Sequence, residues 1–547
     1  MQKNVSAFHF LLDFYALKRY ALKHSSKVWR NCPMILKIVL LIVFFAVMIA
    51  VGWYSRHTAK TVDGFVLGGR SVGPWISAFA YGTSYFSAVV FIGYAGQFGW
   101  RYGLASTWIG IGNALIGSLL AWVILGRRTR VMTKHLNAAT MPAFFEKRFG
   151  SKELKITASA IIFIFLIPYT ASVYNGLSNL FNMAFGIPYI YCVLMMAALT
   201  CVYVLMGGYM ATVYNDFVQG IIMLVGIVAV ILAVLGGHGG FMEAVRKLSE
   251  IPSDNALTMG QQGAFASFFG PDPMGLLYVI ILTSLGTWGL PQMVQKFYAI
   301  KSEKAVATGT IVSTFFAVVI AGGSYFLGGF ARLIDVSKVS STNPDGTLKM
   351  LYDTVMPQLL SNLPDILMGV LVVLVMSASM STLSSLVLTS SSTMTLDFLK
   401  GTFMKNMNEK VQLLCLRVLV IFFIVLSVVI AMDPPTFIAQ LMGISWGALA
   451  GAFLAPFLYG LYWKKVTPAS CWACFAFGVG LTVINIYTKW FNAIQAGAFA
   501  MLGGLILVPI VSLITPKMAA KKVDHIFSCY DVEVETKARN ILPEQND

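Results

Sequence analysis

Two stretches decide the fold: residues 73–96, GPWISAFAYGTSYFSAVVFIGYAG, and residues 276–300, LLYVIILTSLGTWGLPQMVQKFYAI. Each is apolar and long enough for a membrane helix, which takes roughly 20 residues. Each also carries helix breakers inside the apolar run, namely Gly82 and Gly93 in the first and Gly286, Gly289 and Pro291 in the second. Glycine in a membrane helix also serves close packing. The matching positions of the two stretches favour paired interrupted helices, which are typical of inverted-repeat transporters with a site at the midplane.

The composition places the chain in a membrane. Of its 547 residues, 57% are hydrophobic and 11% are charged, whereas a soluble protein carries about 25% charged residues. The apolar runs are continuous rather than alternating, which excludes a transmembrane β-barrel. The formal net charge is +16. Because the basic residues cluster in short loops at alternate helix ends, this charge indicates orientation in the membrane and predicts no nucleic-acid partner.

About thirteen transmembrane helices are predicted, and the chain is therefore expected to be an all-α, multi-pass protein of the cell (plasma) membrane. The basic loops fall on one side, which we take as cytoplasmic together with the C-terminus. The predicted spans are 36–54, 72–97, 104–125, 154–183, 187–206, 210–236, 274–298, 305–332, 363–396, 413–432, 436–461, 467–487 and 493–515.

These spans divide the chain into segments. The predicted segments are a basic N-terminal extension (1–33), an extra first helix (34–70), a five-helix repeat (71–236), an extracellular loop (237–273), a second, inverted five-helix repeat (274–461), two additional helices (462–516) and a cytoplasmic tail (517–547). The extension conflicts with the orientation, since its basic residues would lie outside the cell. Either it is a basic amphipathic surface helix, or the natural start is Met34.

A membrane helix rich in hydroxyls is the first candidate site. The run SASMSTLSS, residues 377–385, follows the apolar run ILMGVLVVLVM. At 100° per residue, Ala378, Ser381, Thr382 and Ser385 share one face of the helix. Hydroxyl oxygens can replace the water shell of a small cation. The alternative is that they bond back along their own helix or across to a neighbouring one.

Asp216 is the second candidate. A carboxylate within a membrane segment is expensive and is a functional-site hypothesis by default. It could instead cap a helix near the cytoplasmic surface.

Four motifs in order resemble the sodium:solute symporter family. They are FVLGGRSVGPW (65–75), MGGYMATVYNDFVQG (206–220), GLPQMVQKFYAIKS (289–302) and APFLYGLYWKKVTPA (455–469). The resemblance covers residues 36–515 and implies a LeuT-like core of five plus five inverted helices, with one helix before it and two after. It also implies sodium-coupled uptake by alternating access, with Na⁺ as the coupling ion and no other cofactor or metal.

The resemblance also implies two sodium sites. The first would use the backbone carbonyls of Thr83, Phe86 and Ala378 and the hydroxyls of Ser381 and Thr382. Some members of the family hold a second sodium, which here would lie among Asp216, Ser381, Ser384 and Ser385. Ser381 would border both sites.

The solute is less defined. The motif at 289–302 resembles the proline and pantothenate carriers. However, proline carriers have an aspartate where Tyr85 stands, and sugar carriers have a glutamine where Val90 stands. We therefore expect an amino acid or a small carboxylate, and the alternatives are a sodium/pantothenate- or proline-type symporter proper or a transporter-like membrane sensor. The residues expected to line the solute pocket are Tyr85, Gln97, Tyr169, Thr287 and Gln292.

Rival classes fit less well. An enzyme would need convergent His, Asp or Glu in the spans, where they are nearly absent. A signalling sensor would carry a kinase, for which the tail after residue 516 is too short. The expected partners are the solute, Na⁺ and the lipid bilayer, with no obligate protein partner.

Overall fold

The computed structural model describes residues 33–342 and 348–531, so most of the 1–33 extension and most of the 517–547 tail lie outside the described residues. The fold is helical, with one short antiparallel pair of strands, Ser340–Thr342 and Leu348–Met350. Wider π-helical turns extend the α-helices at Val89–Tyr94, Asn113–Leu120, Trp122–Gly126, Val318–Gly322 and Met394–Leu399. The α-helices are Pro33–Ser55, Val62–Leu67, Pro74–Tyr85, Ala95–Tyr102, Thr107–Gly112, Arg127–His135, Met141–Phe149, Lys152–Phe185, Tyr189–Gly237, Phe241–Ser249, Pro273–Gly289, Pro291–Ala299, Glu303–Ala317, Gly323–Gly328, Tyr352–Leu360, Asp365–Thr393, Lys400–Thr402, Glu409–Met432, Ile438–Tyr462, Pro468–Thr488, Ala493–Ile514 and Ala520–Phe527.

Both stretches that open the two halves are broken helices. The first broken helix, 74–102, stops at Phe86, whose backbone is extended (φ −103°, ψ 99°), and resumes at Val89. The second broken helix, 273–299, is interrupted at Leu290, which is also extended (φ −81°, ψ 121°), and bends by 46° there. Pro291 starts the new half because proline at the first position of a helix lacks only an N–H that would have no partner. The predicted interruptions are confirmed.

One helix, Tyr189–Gly237, has 49 residues. At 1.5 Å per residue it would be about 73 Å long, more than twice the hydrocarbon thickness. It is kinked at Gly208, where φ is +53° and a Cβ would lie 2.8 Å from the carbonyl oxygen of Phe65. Glycine therefore satisfies both the backbone conformation and the close approach. The kink separates the predicted spans 187–206 and 210–236.

Ten helices among the described residues are long and apolar enough to cross a membrane, or eleven if the second broken helix counts as one span. The prediction of about thirteen divides two of these long helical stretches further. Residues 189–237 contain two predicted spans, and residues 89–135 contain one span and part of another. The count of thirteen and the segment boundaries stay predictions.

The helix that carries the hydroxyls lies at the centre of the bundle. In the span Asp365–Thr402, 83% of the apolar window is buried, whereas in Ile38–Ser55 the figure is 22%. We call Asp365–Thr393 the hydroxyl helix. It packs against the Tyr189–Gly237 helix, the Lys152–Phe185 helix and the first broken helix. Its serines and threonines are therefore surrounded by protein rather than by lipid.

The two halves are joined at one end of the broken helices. The amide of Val72 donates to the carbonyl of Ala299 (3.3 Å), and the amide of Lys301 donates to the carbonyl of Val72 (3.0 Å). The guanidinium of Arg130 donates to the carbonyls of Ile300 and Lys301. This end of the bundle is held by hydrogen bonds between the start of one half and the end of the second broken helix.

Candidate functional site

Uncharged oxygen atoms converge where the first broken helix stops against the hydroxyl helix. The hydroxyl of Ser381 donates to the carbonyl of Thr83 (2.8 Å) and lies 3.1 Å from the carbonyl of Ala378. The hydroxyl of Thr382 lies 3.2 to 3.4 Å from the carbonyls of Thr83, Ser84 and Ala378. We call this group of oxygens the Thr83 site. Four of the five residues predicted for the first sodium ion are therefore in direct contact.

Phe86, the fifth residue, lies at the edge of the Thr83 site. It caps the first half of the broken helix, and its amide donates to the carbonyl of Gly82 (3.2 Å). It borders the same small cavity as Ala378, with Ser87 and Ser324 among its polar residues. The break leaves the last carbonyls of the first half without helical partners, so they are free to accept from the hydroxyl helix.

The donor set of the Thr83 site is all neutral oxygen. Thr83, Ser381 and Thr382 are fully buried, and Ala378 is 2% exposed. Hard oxygen ligands of this kind suit small hard cations such as Na⁺. The site carries no formal charge of its own, so a bound monovalent cation would supply one.

The second group predicted to bind sodium contains a lysine. Asp216 Oδ2 lies 3.3 Å from Lys296 Nζ, and both side chains are buried, with exposures of 0% and 2%. Lys296 Nζ also donates to Ser385 Oγ (3.0 Å) and lies 5.5 Å from the centre of the Tyr209 ring. We call Asp216, Lys296 and Ser385 the Asp216 site. Asp216 is therefore not a surface helix cap.

The other two residues predicted for that sodium ion bond elsewhere. Ser384 Oγ donates to the carbonyl of Ser381 on its own helix (3.0 Å), and the hydroxyl of Ser381 belongs to the Thr83 site. Ser385 Oγ is 2.9 Å from Ser84 Oγ. Ser84 thus joins the Asp216 site to the first broken helix.

Lys296 and Ser84 were missing from the sequence prediction. Lys296 stands within the quoted motif GLPQMVQKFYAIKS, and an ionisable residue in a membrane segment is itself a sign of a site. That signal was applied to Asp216 and not to Lys296. Ser84 gives no such signal, because a lone hydroxyl in a membrane helix is common.

Two of the five predicted solute residues contact one tryptophan, and a third lies near one of these two. Tyr85 stacks on Trp446, with ring centres 6.1 Å apart, and Tyr169 meets the same ring edge-on at 5.9 Å. The Tyr85 hydroxyl donates to the carbonyl of Thr283 (2.5 Å). The Thr287 hydroxyl donates to the carbonyl of Gly117, which lies beside the Tyr85 hydroxyl. Trp446, which the sequence prediction missed, is the common neighbour of both tyrosines.

The two predicted glutamines differ from these. Gln292 follows the break in the second broken helix, is 1% exposed, and has no hydrogen-bond partner for Oε1 or Nε2 in the described part of the chain. Gln97 lies in Ala95–Tyr102, which packs against Gly323–Gly328 and Tyr352–Leu360. Within residues 33–342 and 348–531, neither glutamine is hydrogen-bonded to the Trp446 neighbourhood.

The chain matches a known protein family and is similar to two curated proteins. Residues 65–478 match the family model described as "Sodium:solute symporter family". The chain is similar to sodium/proline symporter 2 of Staphylococcus saprophyticus, with 28% identity over 495 residues that cover 88% of this chain and 93% of the relative. It is also similar to the sodium/proline symporter of Staphylococcus aureus, with 29% identity over 500 residues and the same coverages.

The fold has a solved counterpart. A Na⁺-coupled sialic acid symporter, in a substrate-bound outward-open state, superposes with a TM-score of 0.69 at 16% identity, covering 88% of this chain and 98% of that one. At this identity the likeness concerns the fold alone. It confirms the LeuT-like fold that the family resemblance implied.

Proposed function

Because the chain belongs to the sodium:solute symporter family, we propose that it carries an amino acid or a small carboxylate into the cell together with sodium that binds at the Thr83 site. Sodium-coupled symport of a small solute is the function of the family. The proposal concerns the solute class and the residues that bind the ion and the solute.

The observation that carries the proposal is the convergence of buried neutral oxygens in the Thr83 site. The Ser381 hydroxyl and the Thr83 carbonyl belong to two different helices and are 2.8 Å apart. A cation bound between them would hold the first broken helix against the hydroxyl helix. By linkage, whatever solute binds more tightly to that joined form also tightens sodium binding.

The proposed solute pocket lies between the two breaks. Tyr85, Tyr169 and Trp446 supply aromatic surface for the apolar part of a small solute. Gln292 supplies a buried amide with no hydrogen-bond partner among the described residues, beside the N-terminus of the half-helix Pro291–Ala299. Since half-helix N-termini favour anionic groups in transporters of this architecture, a carboxylate is the group we place there.

Proline is the second candidate, because the curated relatives that match most of the chain are named sodium/proline symporters. The aromatic neighbourhood of Trp446 is compatible with a small ring. A solute panel that contains proline, other amino acids, small carboxylates and pantothenate separates the candidates.

We place the protein in the plasma membrane, with the C-terminus in the cytoplasm. Basic residues follow the long helical stretch that ends at His135 and lie in the connection before Glu303, which favours that side as the inner one. The bridge between Val72 and residues 299–301 then closes the cytoplasmic end. Inward sodium movement releases about 2.3 kcal/mol per charge for each 100 mV of potential.

The test is thermal unfolding of the purified protein in sodium or in choline at equal ionic strength. An ion at 100 times its Kd adds about 2.7 kcal/mol of stability. We expect sodium, and not choline, to raise the Tm, and Ser381→Ala to abolish most of that rise. Ser379→Ala is the matched control, since Ser379 is buried on the same helix and, among the described residues, its hydroxyl bonds to the carbonyl of Val375 (2.7 Å) and not to the first broken helix.

The solute panel is then measured with and without sodium. One compound that raises the Tm only in sodium identifies the solute class. A sodium response that survives in Ser381→Ala would contradict the proposed ion site.

A further inference from the structure

We infer that the Lys296 ammonium fills the Asp216 site as a cation supplied by the chain, so that the protein binds one sodium ion per transport cycle, at the Thr83 site, rather than two. The inference rests on the proposed function for the Thr83 site. Lys296 belongs to the second broken helix, whereas Asp216 and Ser385 belong to two other helices.

The contacts show how the ammonium is held. Lys296 Nζ donates to Asp216 Oδ2 (3.3 Å) and to Ser385 Oγ (3.0 Å). The ring of Tyr209 lies 5.5 Å away, a distance at which an aromatic face attracts a cation. The carboxylate and the ammonium are both nearly inaccessible to solvent, so each needs the other as its counter-charge.

The hydrogen bonds at this site use its serine hydroxyls and leave one carboxylate oxygen, Asp216 Oδ1, without a partner among the described residues. An ammonium has three donors and no acceptor, so the Ser385 oxygen must accept from Lys296. Its own hydrogen is then free to donate to Ser84 Oγ, 2.9 Å away. The Ser385 hydroxyl is therefore used on both sides, and Ser384 bonds along its own helix.

Charge also argues against a second ion. Asp216 is the one carboxylate that pairs with Lys296 within the described residues. A sodium ion added about 4 Å from the ammonium would be repelled strongly enough to lower its affinity by roughly a thousandfold at an effective dielectric constant of about 20. One carboxylate neutralises one cation, and Lys296 is already that cation.

The two sites are joined through hydroxyls. Ser385 contacts Ser84, and the Ser84 carbonyl lies 3.3 Å from the Thr382 hydroxyl of the Thr83 site. Through Ser385, the Lys296 ammonium is therefore connected to Ser84 on the first broken helix. The sodium ion would bind at the next residue along that helix, Thr83.

The experiment is a sodium titration of the Tm of the full-length protein, with choline replacing sodium at constant ionic strength. The logarithmic dependence of stability on sodium concentration gives the number of ions bound on folding. The variants are Lys296→Met, which frees the carboxylate, and the double variant Asp216→Asn/Lys296→Met, which removes both charges. Lys301→Met is the control, because Lys301 is an exposed lysine close to Lys296 in the chain.

We expect one ion in the wild type and in Lys301→Met, two in Lys296→Met, and one in the double variant with a sodium affinity within threefold of the wild type. Two ions in the wild type, or one in Lys296→Met, would overturn the inference. If Lys296→Met does not fold, the double variant decides: a tenfold or larger loss of sodium affinity there overturns the inference. A wild type that responds to sodium no more than to choline overturns the proposed function as well, so the two failures are distinguishable.

Discussion

The Thr83 site and the Asp216 site share the hydroxyl helix, where Ser381 and Ser385 are four residues apart, yet they are built in opposite ways. The Thr83 site consists of neutral carbonyl and hydroxyl oxygens. The Asp216 site contains a full negative charge and a full positive charge, both buried. On the proposed account, the first obtains its cation from solution, and the second already holds the Lys296 ammonium.

If the proposal holds, the difference explains how one scaffold can fix the number of coupling ions. Neutral oxygens bind a cation reversibly, because the empty site leaves no uncompensated charge. A buried carboxylate cannot be left alone at acceptable cost, and a lysine on a neighbouring helix satisfies it permanently. A protein in which Lys296 takes the place of a second sodium ion would gain the free energy of moving one sodium ion, rather than two, for each solute molecule taken up.

The largest expected effect comes from breaking the buried pair on one side. Asp216→Asn leaves the Lys296 ammonium buried without a counter-charge, which typically costs 3–5 kcal/mol. The double variant Asp216→Asn/Lys296→Met should recover most of that loss, because neutral replacement of a buried pair is often tolerated. Thermal unfolding in choline measures both. If Asp216→Asn cost less than about 1 kcal/mol, the pair would be behaving like an exposed one.

At the Thr83 site, we expect a substitution to weaken sodium binding rather than to prevent folding. Ser381→Ala should weaken sodium binding at least tenfold, which corresponds to about 1.4 kcal/mol, because its hydroxyl bridges the two helices. Sodium titration of the Tm, with Ser379→Ala alongside, measures this. Equal affinities in the two variants would show that the bridging hydroxyl does not bind the ion.

Ser385→Ala tests the connection between the sites. Removing this hydroxyl takes one hydrogen bond from the Lys296 ammonium and one from Ser84, so we expect destabilisation of about 1–3 kcal/mol and a change in sodium affinity of less than threefold. Unfolding in choline and titration with sodium separate the two effects. A large drop in sodium affinity with little loss of stability would instead indicate that Ser385 is a sodium ligand.

Another carboxylate, Asp353, is partly buried and has no ion-pair partner among the described residues, which sharpens the comparison. It lies outside the membrane spans, in the helix Tyr352–Leu360, and burial raises its pKa from 3.8 to about 6, although the amide of Ile438 donates to it. Between pH 3.8 and 6 the folded protein therefore holds a proton that the unfolded chain has lost, and stability falls as the pH rises.

Asp353→Asn should remove this contribution, which the pKa difference limits to about 3 kcal/mol. The Tm of wild type and variant is compared at pH 5 and pH 7. A wild-type loss of stability between these values that persists unchanged in the variant would show that Asp353 is not its source.

The sequence was sufficient for the features that depend on local chemistry. Helix breakers marked both interrupted stretches: Pro291 begins the second half of its helix, whereas in the first stretch the break falls at Phe86, four residues after Gly82. The hydroxyl run marked its helix as a candidate site. The convergence of Thr83 with Ser381 came from family resemblance. Spacing along one helix could not show which neighbouring backbone faces it.

The role of Lys296 could not be predicted in the same way. Its position in a membrane segment signals a site, but the identity of its partner depends on how three separate helices pack. Trp446 gave no signal, because a membrane tryptophan is more often packing than part of a site. Gln97 stays a prediction, since the structure shows its helix packed against Gly323–Gly328 and Tyr352–Leu360 and holds no solute.

Counting the sodium ions bound to the purified wild-type protein tests the central claim most directly. Equilibrium binding of ²²Na⁺ should saturate at one ion per chain, with a Kd that is at least tenfold higher in Ser381→Ala and unchanged in Ser379→Ala. Two ions per chain, or a Kd that is unchanged in Ser381→Ala, would contradict the account of a neutral sodium site beside a site filled by Lys296.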